Sequence, residues 1–204
     1  MDNKKEHWEE VYGKKDDNQV SWYQDVPKTS LRLIDELRLA LEDAIIDLGG
    51  GNSNLSIELY KKGYKNLSVL DISGLALART RKKMGAGGSS VHWIESDVLD
   101  FNAYNQYAVI HDRATFHFLT REDEINKYVD IVTKAVKKGG FLIVSTFSLS
   151  GPEKCSGLNV SQYSPETLNS VFNGHFKLIR TLSEVHTSPY NTSQDFVCCV
   201  FARF

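Results

Sequence analysis

The stretch Ala44-Ile45-Ile46-Asp47-Leu48-Gly49-Gly50-Gly51-Asn52-Ser53 constrains this chain more than any other. A short apolar run ends in an acid, and a glycine-rich turn follows at once. Leu55, Ile57, Leu59 and Tyr60 then open a helical pattern. The reading is a buried strand, a tight turn and a helix N-terminus. Gly49 and Gly51 take backbone angles closed to other residues and let a ligand approach the main chain. Asp47 is the unusual member. A loop built for a pyrophosphate relies on helix-terminal N–H groups and has no use for an adjacent carboxylate. An acid there suits a ligand carrying positive charge.

Two further strands end the same way. Asn66-Leu67-Ser68-Val69-Leu70-Asp71 closes on Asp71, and Val91-His92-Trp93-Ile94-Glu95-Ser96-Asp97-Val98 carries Asp97 at its end. In dinucleotide folds an acid about 20 residues past the glycine turn holds ribose hydroxyls. Three successive strands ending in carboxylates suit a ligand at the carboxyl edge of a parallel sheet.

Apolar runs at 44–48, 67–72, 91–95, 107–111 and 140–147 read as strands. Helical patterns lie near 54–62, 73–84 and 121–137. That alternation predicts an α/β fold with a doubly wound, mostly parallel sheet. Ser164-Pro165-Glu166 reads as a helix start, with Leu168, Val171 and Phe172 as its buried stripe. The runs 176–182 and 195–201 have no helix between them and suit an antiparallel hairpin at the sheet edge. Gly85 to Ser90 reads as a flexible connector too short to separate domains. No internal repeat or boundary appears, so residues 1–204 read as one domain.

Asp47-Leu48-Gly49-Gly50-Gly51-Asn52-Ser53 resembles the first motif of class I S-adenosylmethionine (SAM) dependent methyltransferases. Asp71 resembles their ribose-binding acid, and Asp97-Val98 their adenine-contacting pair. The resemblance spans nearly the whole chain and departs at Ser53, often a glycine in the family. It implies seven strands with the last antiparallel, and SAM as cofactor with S-adenosylhomocysteine as product. The cofactor-binding residues it implies are Asp47, Gly49, Gly51, Asn52, Asp71, Ile72, Asp97 and Val98, with Tyr12 and Trp22 from the N-terminal segment. A nicotinamide reading fares worse, because Gly49-x-Gly51-x-x-Asn54 lacks the final Gly or Ala that lets helix pack on strand.

The N-terminal segment is dense in aromatics: His7, Trp8, Tyr12, Trp22 and Tyr23. Trp8, Val11 and Tyr12 share a helical face by spacing. Packing on the sheet is one reading. The resemblance implies another, in which residues 1–30 close over the cofactor, with Trp22 and Tyr23 ahead of Trp8 as pocket residues. A cover suits the chemistry, since methyl transfer from a sulfonium gains from excluded water and held alignment.

After the fourth strand comes Ile110-His111-Asp112-Arg113-Ala114-Thr115-Phe116-His117-Phe118-Leu119. In the family this turn faces the transferred methyl. His111, Asp112 and His117 are the candidates to supply a base or position the acceptor. Against that, Asp112-Arg113 also reads as a structural ion pair, and His117 amid aromatics as a core histidine. The long loop 148–163 sits at the same edge, where substrate contacts gather. The implied acceptor is a protein lysine or a small molecule. A non-catalytic SAM-binding regulator or partner subunit stands as the alternative.

Composition narrows the partners. The formal charge of −2 gives no basic field for nucleic acid. No apolar run approaches the roughly 18 residues that would span a membrane. Met1 to Glu6 has acids and no apolar core, unlike a signal peptide. Three cysteines make no disulfide framework, and Cys198-Cys199 reads as core filling, so neither a metal site nor a secreted chain is expected. A cytoplasmic protein is the expectation, with its oligomeric state left open.

Overall fold

The computed structural model describes residues 4–204. Met1 to Asn3, which open both the proposed cover and the stretch read as no signal peptide, lie outside the described residues. In chain order the elements are α1 (Lys4–Lys14), α2 (Lys28–Glu36), β1 (Ile45–Leu48), α3 (Leu55–Lys61), β2 (Leu67–Asp71), α4 (Gly74–Met84), β3 (Val91–Glu95) and β4 (Tyr107–Arg113). There follow α5 (Glu122–Ala135), β5 (Val136–Phe147), β6 (Lys154–Cys155), β7 (Leu158–Asn159), α6 (Pro165–Phe172), β8 (Phe176–Thr187) and β9 (Ser193–Arg203).

Seven strands form one sheet in the order β3-β2-β1-β4-β5-β9-β8. The strands β3 to β5 run parallel, and β9 enters antiparallel between β5 and β8. The chain direction reverses beside β1, so the carboxyl ends of β1 and β4 flank a crevice. Open α/β sheets bind ligands at such a switch point.

Two apolar layers cover the two faces, because successive strand residues point to opposite sides. Ile46, Leu48, Ile110, Leu142 and Val144 pack with Tyr128, Val132, Leu168 and Phe172 of α5 and α6. Ile45, Val69, Val109 and Ile143 pack with Leu31, Leu33, Ile34, Leu55, Leu59 and Leu77 of α2, α3 and α4. Cys198 and Cys199 are free thiols buried in β9, one in each layer.

Three details depart from the sequence reading. The sequence patterns do not mark helix α2; Leu31, Leu33 and Ile34 form its buried stripe behind Pro27. Helix α5 stops at Ala135, and β5 begins at once because Val136 pairs with Tyr107. Gly85–Ser90 is a 3-10 turn and no loose connector. Gly87 and Gly88 are buried there, and a Cβ on Gly87 would come within 2.6 Å of the Tyr60 ring. Elsewhere the expected caps form: Ser164 accepts from Thr167 N–H, with Pro165 first in the helix.

Candidate active site

A cleft of about 440 Å³ opens at the carboxyl edge of the sheet. Its floor comes from the ends of β1, β2 and β3 through Gly49, Asp71, Ile72, Asp97 and Val98. The turn after β4 contributes Arg113, Thr115 and Phe118, and the β6–β7 hairpin contributes Cys155, Leu158 and Asn159. His7, Trp8, Tyr12 and Trp22 roof it. A smaller pocket of about 40 Å³ adjoins it, shares Trp22, Gly49 and Arg113, and is lined further by Asp47, Asn52 and His111.

The glycine turn is held by backbone bonds to the neighbouring strand: Gly49 and Gly50 both donate to the Leu70 carbonyl, at 2.7 and 3.2 Å. Gly49 has φ +67°, the left-handed region that glycine tolerates, and a Cβ on it would lie 1.8 Å from Thr115 Oγ1. A Cβ on Gly51 would lie 2.6 Å from the Asp71 carboxyl carbon. The turn therefore admits no side chain at either position.

Asp71 is fixed by the same turn. Its Oδ2 accepts from Gly51 N–H at 3.0 Å and its Oδ1 from Ser73 N–H at 2.8 Å. Burial pushes its carboxyl up to about 6, against the pull of those two N–H donors. Asp47 and Glu9 nearby push the same way. Asp97 caps the turn behind it, accepting from Leu99 N–H at 2.8 Å.

The N-terminal helix lies across this edge. Glu9 accepts from Ser73 Oγ at 3.0 Å and Gly74 N–H at 2.8 Å, at the start of α4, where helix N–H groups lack intrahelical partners. Lys4 pairs with Glu124 of α5 at 2.7 Å. Trp8 stands edge-on to Trp22 and Phe118, with centroids 5.8 and 5.1 Å away. Further along, Asp17 pairs with Lys83 at 3.0 Å, His186 donates to the Ser21 carbonyl at 2.8 Å, and Tyr190 donates to that of Gln19. Among the aromatics, Trp22 lines the cleft as expected from sequence, and only the order of Trp8 and Tyr23 differs. Trp8 lines the cleft, whereas Tyr23 lines only the small pocket.

The structure does not bring His111, Asp112 and His117 together. His111 and Asp112 are consecutive in β4, so they face opposite sides of the sheet. His111 lies toward α2, with Nδ1 2.7 Å from Asp47 Oδ1 and Nε2 2.9 Å from Ser30 Oγ. Asp112 lies toward α5. Its Oδ1 accepts from Thr115 and Phe116 N–H, each at 3.1 Å, and its Oδ2 from Tyr128 OH at 2.7 Å. It is fully buried and is not among the residues lining the cleft. Burial pushes its carboxyl up to about 6, opposed by Tyr128 and the two amides. The Asp112–Arg113 ion pair considered from sequence does not form, for the same alternation. His117 is fully buried between Phe118 and Phe147, its ring nitrogens without hydrogen-bond partners. Burial, helped by Arg113, holds its pKa down at about 3.

Comparisons with known proteins agree with this geometry. Residues 45–140 match the methyltransferase-domain family. That stretch, just under half of the chain, resembles a methyltransferase domain. Human EEF1A lysine methyltransferase 2 is 25% identical over 159 residues, 70% of this chain and 66% of that protein. The Drosophila melanogaster homologue of the eEF1A lysine and N-terminal methyltransferase is 23% identical over 144 residues, 66% of this chain. The chain spans only 21% of that protein's length. The N-methyltransferase NodS of Bradyrhizobium japonicum, solved with S-adenosylhomocysteine, superposes with a TM-score of 0.69 at 17% identity, over 96% of this chain and 97% of that one. At that identity the likeness concerns the fold. Among the described residues, no His/Cys/Asp/Glu cluster suits a metal ion, and no helix is long and apolar enough to cross a membrane.

Proposed function

We propose that this chain is a SAM-dependent methyltransferase acting on a nucleophile of a small molecule or a protein lysine. One observation carries the reading: Asp71, buried at the end of β2, is aimed along the cleft edge by the glycine turn that precedes it in sequence by one strand. Buried atoms without partners support the fit. Asp47 Oδ2 and both ends of the Asn52 amide have no hydrogen bond, and all border the small pocket. Buried polar groups in folded proteins are nearly always paired, so unpaired ones clustered at a pocket mark a ligand's place. The carboxylate and the amide suit the ammonium and carboxylate of an amino acid.

In this reading Asp71 accepts from ribose hydroxyls, while Ile72, Asp97 and Val98 border the adenine. Gly49 and Gly51 keep the turn free of side chains, and Tyr12 and Trp22 close the site. When bound, the cofactor supplies an electrophilic methyl on a sulfonium. The protein binds, orients and excludes water, with residues 1–30 as the cover of a single-domain enzyme. Asp112 and His111 position the acceptor turn through Tyr128 and Asp47 and take no proton from the acceptor. The buried free thiols suit a cytoplasmic setting.

Calorimetric titration with S-adenosylhomocysteine tests the reading. Wild type should bind, and Asp71→Asn should bind at least tenfold more weakly in a folded protein; equal affinities would overturn the assignment. Incubation with labelled SAM and a host lysate then decides between enzyme and non-catalytic binder, since label must appear in an acceptor.

A further inference from the structure

Helix α1 roofs the cleft without joining the core beneath it. Tyr12 is its one buried residue. Trp8, half-buried, meets Trp22 and Phe118 edge-on. The chain just after the helix is anchored. Arg79 donates to the Lys15 carbonyl at 2.8 Å, Asp17 pairs with Lys83, Val20 is buried, and Trp22 packs against the α2–α4 layer. The change from loose to anchored falls at Gly13 and Lys14. A Cβ on Gly13 would have nothing within 4 Å, so no packing opposes movement there. A segment with few buried apolar contacts opens at a free energy well below that of global unfolding.

Polar ties hold the helix down. Lys4 pairs with Glu124 at 2.7 Å at the end farthest from Gly13. Lys5 pairs with Glu95 at 2.5 Å, but both side chains are about half exposed, and water and salt screen such pairs. Glu9 is tied more firmly. One of its oxygens accepts from Gly74 N–H at 2.8 Å and the other from the Ser73 hydroxyl at 3.0 Å. Gly74 opens α4, so its N–H has no partner inside the helix, and the positive end of the helix dipole favours a carboxylate there. Ser73 also donates its own N–H to Asp71 Oδ1 at 2.8 Å. A single residue thus joins the acid assigned to the ribose to the helix that roofs it.

We propose that Glu9 is a latch: its carboxylate, seated on the start of α4, holds α1 over the cleft, and the site opens to the cofactor only when that contact breaks and α1 swings on Gly13. This rests on the methyltransferase reading and adds to it the step that controls cofactor exchange. The latch touches α4, and its hold is the same with the cofactor and without it. Its signature is therefore kinetic, slowing entry and exit alike and leaving affinity unchanged. Stopped-flow tryptophan fluorescence of the full chain with S-adenosylhomocysteine reads both rates, since Trp8 and Trp22 line the cleft. Glu9→Ala should raise the association and dissociation rate constants each by roughly tenfold, the effect of losing one charge-assisted hydrogen bond, with Kd by calorimetry within threefold of wild type. Lys5→Ala, which removes the exposed pair, should leave both rates within twofold. Gly13→Ala stiffens the hinge with a better helix former and should slow both rates several-fold. A rise in dissociation alone would make Glu9 part of the binding site and overturn the latch. Unchanged rates in Glu9→Ala, or in Gly13→Ala, overturn the latch or the hinge respectively. Failure of wild type to bind S-adenosylhomocysteine overturns the methyltransferase reading instead. Amide exchange across residues 4–14 without ligand, expected to be faster in Glu9→Ala than in wild type, then still decides whether Glu9 holds the helix down.

Discussion

The two halves of the cleft are built in different ways. On the β1–β3 side, the functional groups are set by residues no more than 20 positions away in sequence. Asp71 is held by Ser73 two residues on and by Gly51 in the adjacent turn, and Asp97 by Leu99. On the β4–β5 side the wall is assembled from four distant segments, with Arg113 reaching Trp22, Phe196 and Glu184. In the proposed reading, the first half is a preformed socket for a constant ligand. The second is a set of side chains drawn from strands and segments far apart in sequence. The difference teaches why one fold serves many methyl acceptors: the costly part, the oriented carboxylates, is local and portable.

The sharpest way to break this contrast is at the glycine turn. Gly49→Val and Gly51→Val should reduce S-adenosylhomocysteine affinity more than a hundredfold, since each Cβ collides with Thr115 or Asp71. Circular dichroism must accompany the calorimetry to show that the sheet survives. Retained affinity in a folded variant would mean the socket is not at the turn.

The second effect in size belongs to Asp112, which lies between the halves. Asp112→Ala leaves Thr115 N–H, Phe116 N–H and Tyr128 OH without their acceptor in a buried place. The cost is on the order of 3 kcal/mol. For a chain of this size that lowers Tm by roughly 6–12 °C. Affinity for S-adenosylhomocysteine, measured well below Tm, should stay within a few-fold. Asp112→Asn keeps the acceptor oxygen and should recover part of the loss. A variant with wild-type Tm would show that Asp112 is no support.

Asp71 gives a pH test of the socket. Its folded pKa is raised to about 6, so the protonated form favours the cofactor-free fold. That stabilisation is complete below the ordinary carboxylate range near 3.9 and is lost as pH rises through about 6. Asp71→Asn should therefore raise Tm more at pH 8 than at pH 5. Ligand binding runs the other way, because ribose hydroxyls need the ionised acceptor. Affinity for S-adenosylhomocysteine should fall below about pH 6, by up to about tenfold per pH unit, and the fall should vanish in Asp71→Asn. A flat profile in wild type would remove Asp71 from the site.

The smallest effect concerns the roof. S-adenosylhomocysteine should slow amide exchange across residues 7–23, and Trp8→Ala should weaken binding by a few-fold. Exchange rates unchanged by ligand would make α1 a fixed part of the core.

The contrast between the halves also explains what the sequence disclosed. The alternation of runs gave the parallel sheet, and the glycine turn with Asp71 and Asp97 gave the floor, because each of these signals is contained in a dozen residues. The facing of His111 and Asp112 was available in principle, since neighbours in a strand must diverge. Likewise the four-residue spacing of Trp8 and Tyr12 puts them on one side of α1, and Tyr12 leads Trp8 into the cleft. Arg113 had no comparable signal. Its burial exists only because Trp22, Phe196 and Glu184 meet around it, and nothing in their spacing announces that meeting. Ser30, which holds His111, was hidden in the same way by the unanticipated helix α2.

Thr115 joins the two halves. Its hydroxyl donates to the Leu48 carbonyl at 3.1 Å, and it occupies the space that a side chain on Gly49 would need. In evolutionary terms this makes the acceptor turn less free than a surface loop. A lineage exploring new substrates can exchange Arg113, Phe118 or the β6–β7 hairpin one at a time. It must keep glycine at 49 for as long as Thr115 stands against it, and at φ +67° a side chain at 49 stays strained even after 115 changes.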